Sequence, residues 1–132
     1  MSSEEKLIPI TKENIDIVLE FLPYFEDRSN IFYKEGQEYG YPKRVYDFFR
    51  ALYEQKFTTE FPAYKRRKDI YSFIDRIIPM SEANIGDIAS IFKIINAGER
   101  LTMGGGYIAT SIENGLILSL LRRLKEIRDE MD

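Results

Sequence analysis

The chain has 132 residues, of which 19 are basic and 22 acidic, giving a formal net charge of −3. It contains no histidine, cysteine or tryptophan, which excludes disulfides, thiolate chemistry, cysteine-based zinc sites and histidine-dependent catalysis. A hydrophobic fraction of 44% predicts a folded core, and the acidic balance argues against sequence-independent binding to nucleic acid.

The length fits one domain, so we expect a single helical domain over residues 1–132, with residues 1–10 loosely ordered. Met1–Lys6 lacks the basic start and the apolar core of a secretory signal. No apolar run approaches the roughly 20 residues that span a bilayer. We therefore expect a cytoplasmic protein that does not associate with membranes.

The first two helices are predicted from apolar residues that recur at helical spacing. Helix one begins after a Thr11 N-cap, and Pro23 kinks or ends it because proline lacks a hydrogen-bond donor. Residues 27–41 have weak periodicity and are predicted as a loop with one short turn. Helix two starts at Pro42 and closes at Gln55–Lys56.

Two more helices are predicted in the middle of the chain. Residues 57–64 form an extended segment, and the third helix follows from about Lys68 to Ile78. The fourth helix begins with Ser81 or Asn84 as its cap and ends at Ala97–Gly98 in a glycine-type C-cap.

Residues 100–113 admit two structures. Ile108 and Ile112 lie four residues apart and favour a short helix after the glycine run, whereas apolar pairs around three glycines suit a short β-hairpin near residues 100–110. We favour the helix and keep the hairpin as the alternative. Asn114–Gly115 breaks the chain before a last helix over about Leu116–Met131. The predicted fold is mainly α, with about five helices in one compact domain.

Tyrosine-rich sequence supplies the best candidate for a binding surface. All aromatic residues except Phe92 and Tyr107 lie between Phe21 and Phe73. Tyrosine combines an apolar ring with a polar hydroxyl and is enriched at protein interfaces. We therefore predict a partner-binding surface, with simple core packing as the alternative, and its candidate residues are Tyr46, Tyr53, Phe61 and Tyr64.

Basic residues supply candidates for binding an anion or a nucleic acid. Four of them form an unbroken run, two lie on the last helix, and one adjoins the Gly104–Gly106 turn, whose backbone amides could hold a small anion. Solvated turns and helix-end ion pairs are the alternative explanation. These candidates are Lys65, Arg66, Arg67, Lys68, Arg100, Arg122 and Arg123.

No catalytic, cofactor or metal site is predicted. A P-loop requires Lys-Ser or Lys-Thr after its glycines, and here Tyr107-Ile108 follows them. The carboxylates show no EF-hand spacing. We therefore expect no enzyme but a protein-interaction or regulatory module, which binds an unknown protein partner or a second copy of itself. Nucleic-acid association and small-anion binding at the glycine turn are the alternatives.

Four segments of the C-terminal third form a pattern of a helix end, a glycine-bounded stretch and a leucine-rich helix with paired arginines. They are Ile94–Leu101, Gly104, Glu113–Gly115 and Leu120–Leu124. In these segments the chain resembles an uncharacterised bacterial family that carries only a domain-of-unknown-function label. The resemblance extends over about Tyr41–Ile127, although Pro62–Tyr64 stands where the family has a tryptophan-containing run. It implies no activity.

Overall fold

The computed structural model describes residues 10–27, 41–58, 67–101 and 106–131. Within these ranges the chain forms α-helices and one 3-10 turn, and it forms no strand. The mainly helical fold is therefore confirmed. The helices are α1 (Lys12–Leu19), α2 (Leu22–Glu26), α3 (Lys43–Glu54), α4 (Tyr71–Ile74), α5 (Ile85–Leu101), α6 (Tyr107–Glu113) and α7 (Leu116–Asp129), with the 3-10 turn at Met80–Glu82. None of the described helices combines the length and hydrophobicity needed to cross a membrane.

The predicted cap of the first helix is present. The Thr11 hydroxyl accepts from the Asn14 amide at 3.2 Å, and the Asn14 side-chain oxygen accepts from the Thr11 amide at 2.9 Å. This reciprocal arrangement satisfies two amides that would otherwise lack partners at the helix start. The helix ends at Leu19, and Pro23 lies in the first turn of the next helix, where a missing donor costs nothing.

Helix α7 lies at the centre of the core. Its buried face packs against α1, α2, α5, α6 and the 3-10 turn. An aromatic cluster fills the space between α2, α3 and α5, with ring centroids of Phe48 lying 4.8 Å from Phe25 and 5.7 Å from Phe92. The buried residues of α7 are Leu116, Ile117, Leu120, Leu121 and Leu124.

The predicted third helix is wrong in length, because α4 stops at Ile74 instead of Ile78. Arg76 adopts a left-handed backbone conformation, with φ at 62°. The Ile77 amide then donates to the Ser72 carbonyl at 2.8 Å and the Arg76 amide donates to Phe73 at 3.2 Å. These two bonds form a Schellman motif, which ends a helix and normally carries glycine at the left-handed position.

Helix α3 ends in the same motif. Lys56 has φ at 74°, the Phe57 amide donates to the Leu52 carbonyl at 2.8 Å, and the Lys56 amide donates to Tyr53 at 3.1 Å. Leu52 and Phe57 are both buried, which supplies the hydrophobic contact that usually accompanies this motif. The predicted close of the helix at Gln55–Lys56 is confirmed.

The predicted end of the fourth helix at Ala97–Gly98 is wrong, because α5 continues to Leu101. Asn84, one of the two predicted caps, does start this helix: its side-chain oxygen accepts from the Asp87 amide at 2.8 Å. Gly98 lies inside α5 under the ring of Tyr107, where an added Cβ would be 2.8 Å from the ring carbons. The glycine therefore permits close packing of α6 and does not cap α5.

The described part of residues 100–113 is helical apart from Gly106, which precedes α6. Residues 100–101 belong to α5, α6 starts at Tyr107, and residues 102–105 lie outside the described ranges. The helix favoured over the hairpin is thus present as α6. Gly115, with φ at 82°, makes the sharp turn into α7 that the Asn114–Gly115 pair predicted.

Replacing Lys56 by glycine should stabilise the protein. A left-handed conformation costs a residue with a Cβ about 1 kcal/mol, and glycine avoids that cost. We expect the free energy of unfolding, measured by urea denaturation, to rise by about 0.5–1 kcal/mol. Lys56→Ala is the control, since it removes the same side chain but keeps the strain. An equal gain in both variants would contradict the explanation.

Replacing Gly98 by alanine should destabilise the protein, although this change normally stabilises a helix by about 0.5–1 kcal/mol. The new methyl group must displace the Tyr107 ring, and such overpacking costs about 1–3 kcal/mol. Chemical denaturation of Gly98→Ala in the wild-type and Tyr107→Ala backgrounds tests this. In the Tyr107→Ala background the alanine should become neutral or stabilising. A loss of equal size in both backgrounds would exclude the ring contact as its cause.

Candidate functional site

A buried polar cluster joins three separate parts of the chain at the start of α6. The Tyr41 hydroxyl donates to the Glu99 carboxylate at 3.1 Å and accepts from the Ala109 amide at 3.2 Å. The same carboxylate oxygen accepts from the Ile108 amide at 2.8 Å. Tyr41 is buried, and its burial is the main cause that raises the pKa of its phenol above the ordinary value. These hydrogen bonds link Tyr41 to Glu99, 58 positions later in the chain, and to Ala109, 68 positions later.

This cluster satisfies the amino end of α6 from outside the helix. Ile108 and Ala109 belong to its first turn, whose amides have no acceptor within the helix. A carboxylate at that end also interacts favourably with the helix dipole. Glu99 thus occupies the position that a bound anion would take. The helix follows Gly106, which has φ at 84°, whereas Gly104 and Gly105 lie outside the described residues.

Arg100, the candidate anion contact beside this turn, is exposed on the last turn of α5. The next residue, Leu101, is 84% exposed. Glu99 is therefore the residue that accepts hydrogen bonds at the start of α6, whereas the neighbouring Arg100 lies in solvent.

The guanidinium of Arg67 is engaged by two carboxylates and a ring. It contacts Asp69 through two bonds of 2.7 and 2.9 Å and donates to Asp87 at 3.3 Å. Its central carbon lies 5.0 Å from the centroid of the Phe73 ring. The hydrogen bonds from Arg67 hold the pKa of Asp69 below its ordinary value. Asp87 is buried, so Arg67 compensates a charge that would otherwise be costly.

The other basic candidates are spread over the fold. Lys65 and Arg66 lie outside the described residues, and Lys68 is exposed. Arg122 pairs with Glu26 of α2 at 3.5 Å. Arg123 donates to the Ala83 carbonyl at 2.8 Å and to Glu126 at 3.1 Å. The two arginines of α7 thus contact neighbouring protein groups, and their predicted role in binding nucleic acid stays a prediction.

Two of the four tyrosine-rich candidates lie side by side on one helix. Tyr46 and Tyr53 are 53% and 56% exposed and are separated by two turns of α3. Arg50 is exposed between them, four residues after the first tyrosine and three before the second. We call Tyr46, Arg50 and Tyr53 the α3 face. Phe61 and Tyr64 lie outside the described residues.

The α3 face is held in place from below. The Tyr46 hydroxyl accepts from the Tyr41 amide at 3.5 Å, and the two rings lie 5.8 Å apart in an edge-on arrangement. On the opposite side of α3, Val45, Phe48 and Leu52 are buried in the core. The helix is therefore firmly anchored while its outer tyrosines remain in solvent.

Sequence reasoning missed the roles of Tyr41 and Arg76. Tyr41 looked like one of many tyrosines, and only its three-dimensional position next to Glu99 distinguishes it. Arg76 donates to the Asn114 carbonyl across the turn between α6 and α7. Nothing in the local sequence pairs residues so far apart. Metal sites were not predicted, and the described ranges contain no group of three acidic side chains able to hold a metal ion.

A family model described as a family of unknown function, DUF6508, matches residues 10–130. No curated protein and no solved structure matches the chain. The family match spans every described helix and therefore includes the cluster at α6 and the α3 face.

Replacing Tyr41 by phenylalanine should cost about 1–2 kcal/mol of stability, since the Ala109 amide loses its acceptor. The loss should shrink as the pH rises above about 10. Below that pH the raised pKa contributes its full stability to the wild type; above it, unfolded tyrosine ionises first and the contribution is lost. Denaturation of both proteins between pH 8 and 11 gives the difference directly. A difference that stays constant or grows with pH would contradict this account.

Proposed function

This chain belongs to the DUF6508 family, a family of unknown function, and we propose that it is a non-catalytic interaction module of the cytoplasm that binds a protein partner through the α3 face. The observation that carries the proposal is the exposure of Tyr46 and Tyr53 on one side of a well-anchored helix. Tyrosine and arginine are the residue types most enriched among interface residues that dominate binding energy.

The arrangement suits a partner for energetic reasons. A tyrosine on a rigid helix loses little conformational entropy when it is buried in a complex, because only its two side-chain torsions become fixed. Tyr46 is already restrained by its contacts with Tyr41. Preorganised side chains of this kind convert more of their buried area into affinity.

Charge specifies the partner further. Lys43 and Asp47 neutralise each other in an ion pair of 3.2 Å, and Arg44 lies 4.2 Å from the centroid of the Phe21 ring. Arg50 has no carboxylate partner within the described ranges. The α3 face therefore fits a protein surface that presents an acidic group between apolar or aromatic side chains.

The alternatives have less support. A small anion at the glycine turn would compete with the Glu99 carboxylate, which already accepts from the first turn of α6. Nucleic-acid binding would need arginines that now contact Asp69, Asp87 and Glu26. An interaction module needs neither a rearranged ion pair nor a displaced carboxylate.

The double variant Tyr46→Ala/Tyr53→Ala tests the proposal. We expect partner affinity to fall at least about tenfold, as removal of interface tyrosines typically does. Because both rings are half exposed, the melting temperature should change by only a few degrees. Partners captured from source-cell lysate with the tagged wild type, after nuclease treatment, would be purified and titrated against each variant by calorimetry.

Tyr71→Ala is the matched control, since Tyr71 is 51% exposed but lies on α4. It should bind like the wild type. A partner that binds the double variant and the control equally well would refute the α3 face as the binding surface. Capture that disappears on nuclease treatment would instead favour nucleic acid. Concentration-dependent dimerisation of the wild type, lost in the double variant, would identify a second copy as the partner.

A further inference from the structure

A cavity of about 230 Å³ lies between the end of α4 and the first turns of α7, on a part of the molecule that the proposed function does not use. Five apolar side chains contribute to its lining: Phe73, Ile78, Pro79, Met80 and Leu116. A cavity of about 150 Å³ is large enough to take benzene. This one has room for a ring or a short chain together with a small polar group.

Two polar side chains complete the lining, Arg76 and Ser119. The guanidinium of Arg76 donates to the carbonyl of Asn114, which is a neutral group. Within the described ranges it forms no ion pair. Arginine has five donors in a planar fork, so donors remain for a second acceptor.

The backbone at Arg76 is fixed by the Schellman motif that ends α4. Its φ of 62° is a conformation that glycine adopts freely and arginine adopts at a cost. This conformation places a long cationic side chain, itself exposed, at the edge of the cavity.

We propose that this cavity binds a small amphipathic monocarboxylate. Its hydrocarbon part lies against the apolar wall, and its carboxylate accepts hydrogen bonds from Arg76. A carboxylate is preferred to a neutral amide because the arginine fork matches two carboxylate oxygens and Arg76 forms no ion pair with the residues that the structure describes. The cavity volume accommodates a hydrocarbon part of roughly a benzene ring or a six-carbon chain.

The test uses benzoate and hexanoate as probes and benzamide as the neutral match, titrated into the full chain and followed by amide NMR shifts. For ligands of this size we expect dissociation constants of about 0.1–1 mM for the two carboxylates. The shifts should be largest around Ser119, and benzamide should bind at least about tenfold more weakly. No saturable shift up to 10 mM, or equal binding of benzoate and benzamide, would overturn the proposal.

Three variants at the cavity and one control elsewhere locate the site. Ser119→Phe fills the cavity from the exposed side of α7 without altering the core, and it should abolish binding of every probe. Arg76→Gln should remove the preference for benzoate over benzamide, and Arg76→Lys should restore part of it. Arg100→Gln, which changes an exposed arginine at the end of α5, should bind benzoate normally. Benzoate binding that persists in Ser119→Phe, or an unchanged preference in Arg76→Gln, would contradict the assignment even if a variant lowers stability.

Discussion

Burial of one face of α7 is the constraint on which the other elements depend. The helix contacts α1, α2, α5, α6 and the 3-10 turn, and the largest residues of its inner face are fully buried. Each such leucine or isoleucine contributes about 1.5–3 kcal/mol when it is removed from water. Since a whole domain is stable by only about 5–15 kcal/mol, the surrounding helices must all fit this one surface.

Helix α6 fits the surface of α7 only if the amides of its first turn are buried, and the fold supplies hydrogen-bond acceptors for them. To pack against both α5 and α7, it must start inside the protein, where its first amides cannot reach water. Glu99 and Tyr41 supply the missing acceptors, and Gly98 lets the Tyr107 ring lie directly on α5. Packing therefore accounts for Gly98 and for the polar contacts at the start of α6.

Features set by residues close in sequence, such as helix caps, were predicted correctly, whereas features set by tertiary contacts were not. Thr11 and Asn84 cap helices because their side chains reach amides two or three residues away, which a sequence pattern can express. Gly98 was wrongly predicted to be a C-cap, because the sequence does not show that the Tyr107 ring packs on it.

The candidate sites also differ in whether their geometry can be predicted from residue spacing or depends on the folded chain. Tyr46 and Tyr53 share a helix face because of their spacing, which is readable in the sequence. The partners of Arg67 on another helix and the left-handed backbone of Arg76 depend on the folded chain. A residue other than glycine at a Schellman position carries no local sequence signal. The apolar pattern therefore predicted a longer helix than α4, which ends at Ile74.

The distribution of paired and unpaired cations gives a physical reason to separate structural from functional charges. Arg128 bonds Asp16 at 2.7 Å and Arg122 contacts Glu26, so these arginines fasten α7 to the first two helices. The chain has net charge −3, so acidic residues outnumber basic ones. A shortage of carboxylates therefore does not explain why an arginine has no carboxylate partner. Among the residues that the structure describes, Arg50 and Arg76 have no carboxylate partner, and each lies beside aromatic or apolar side chains. This combination is the physical basis of both proposals, an acidic protein surface for the α3 face and a small carboxylate for the cavity.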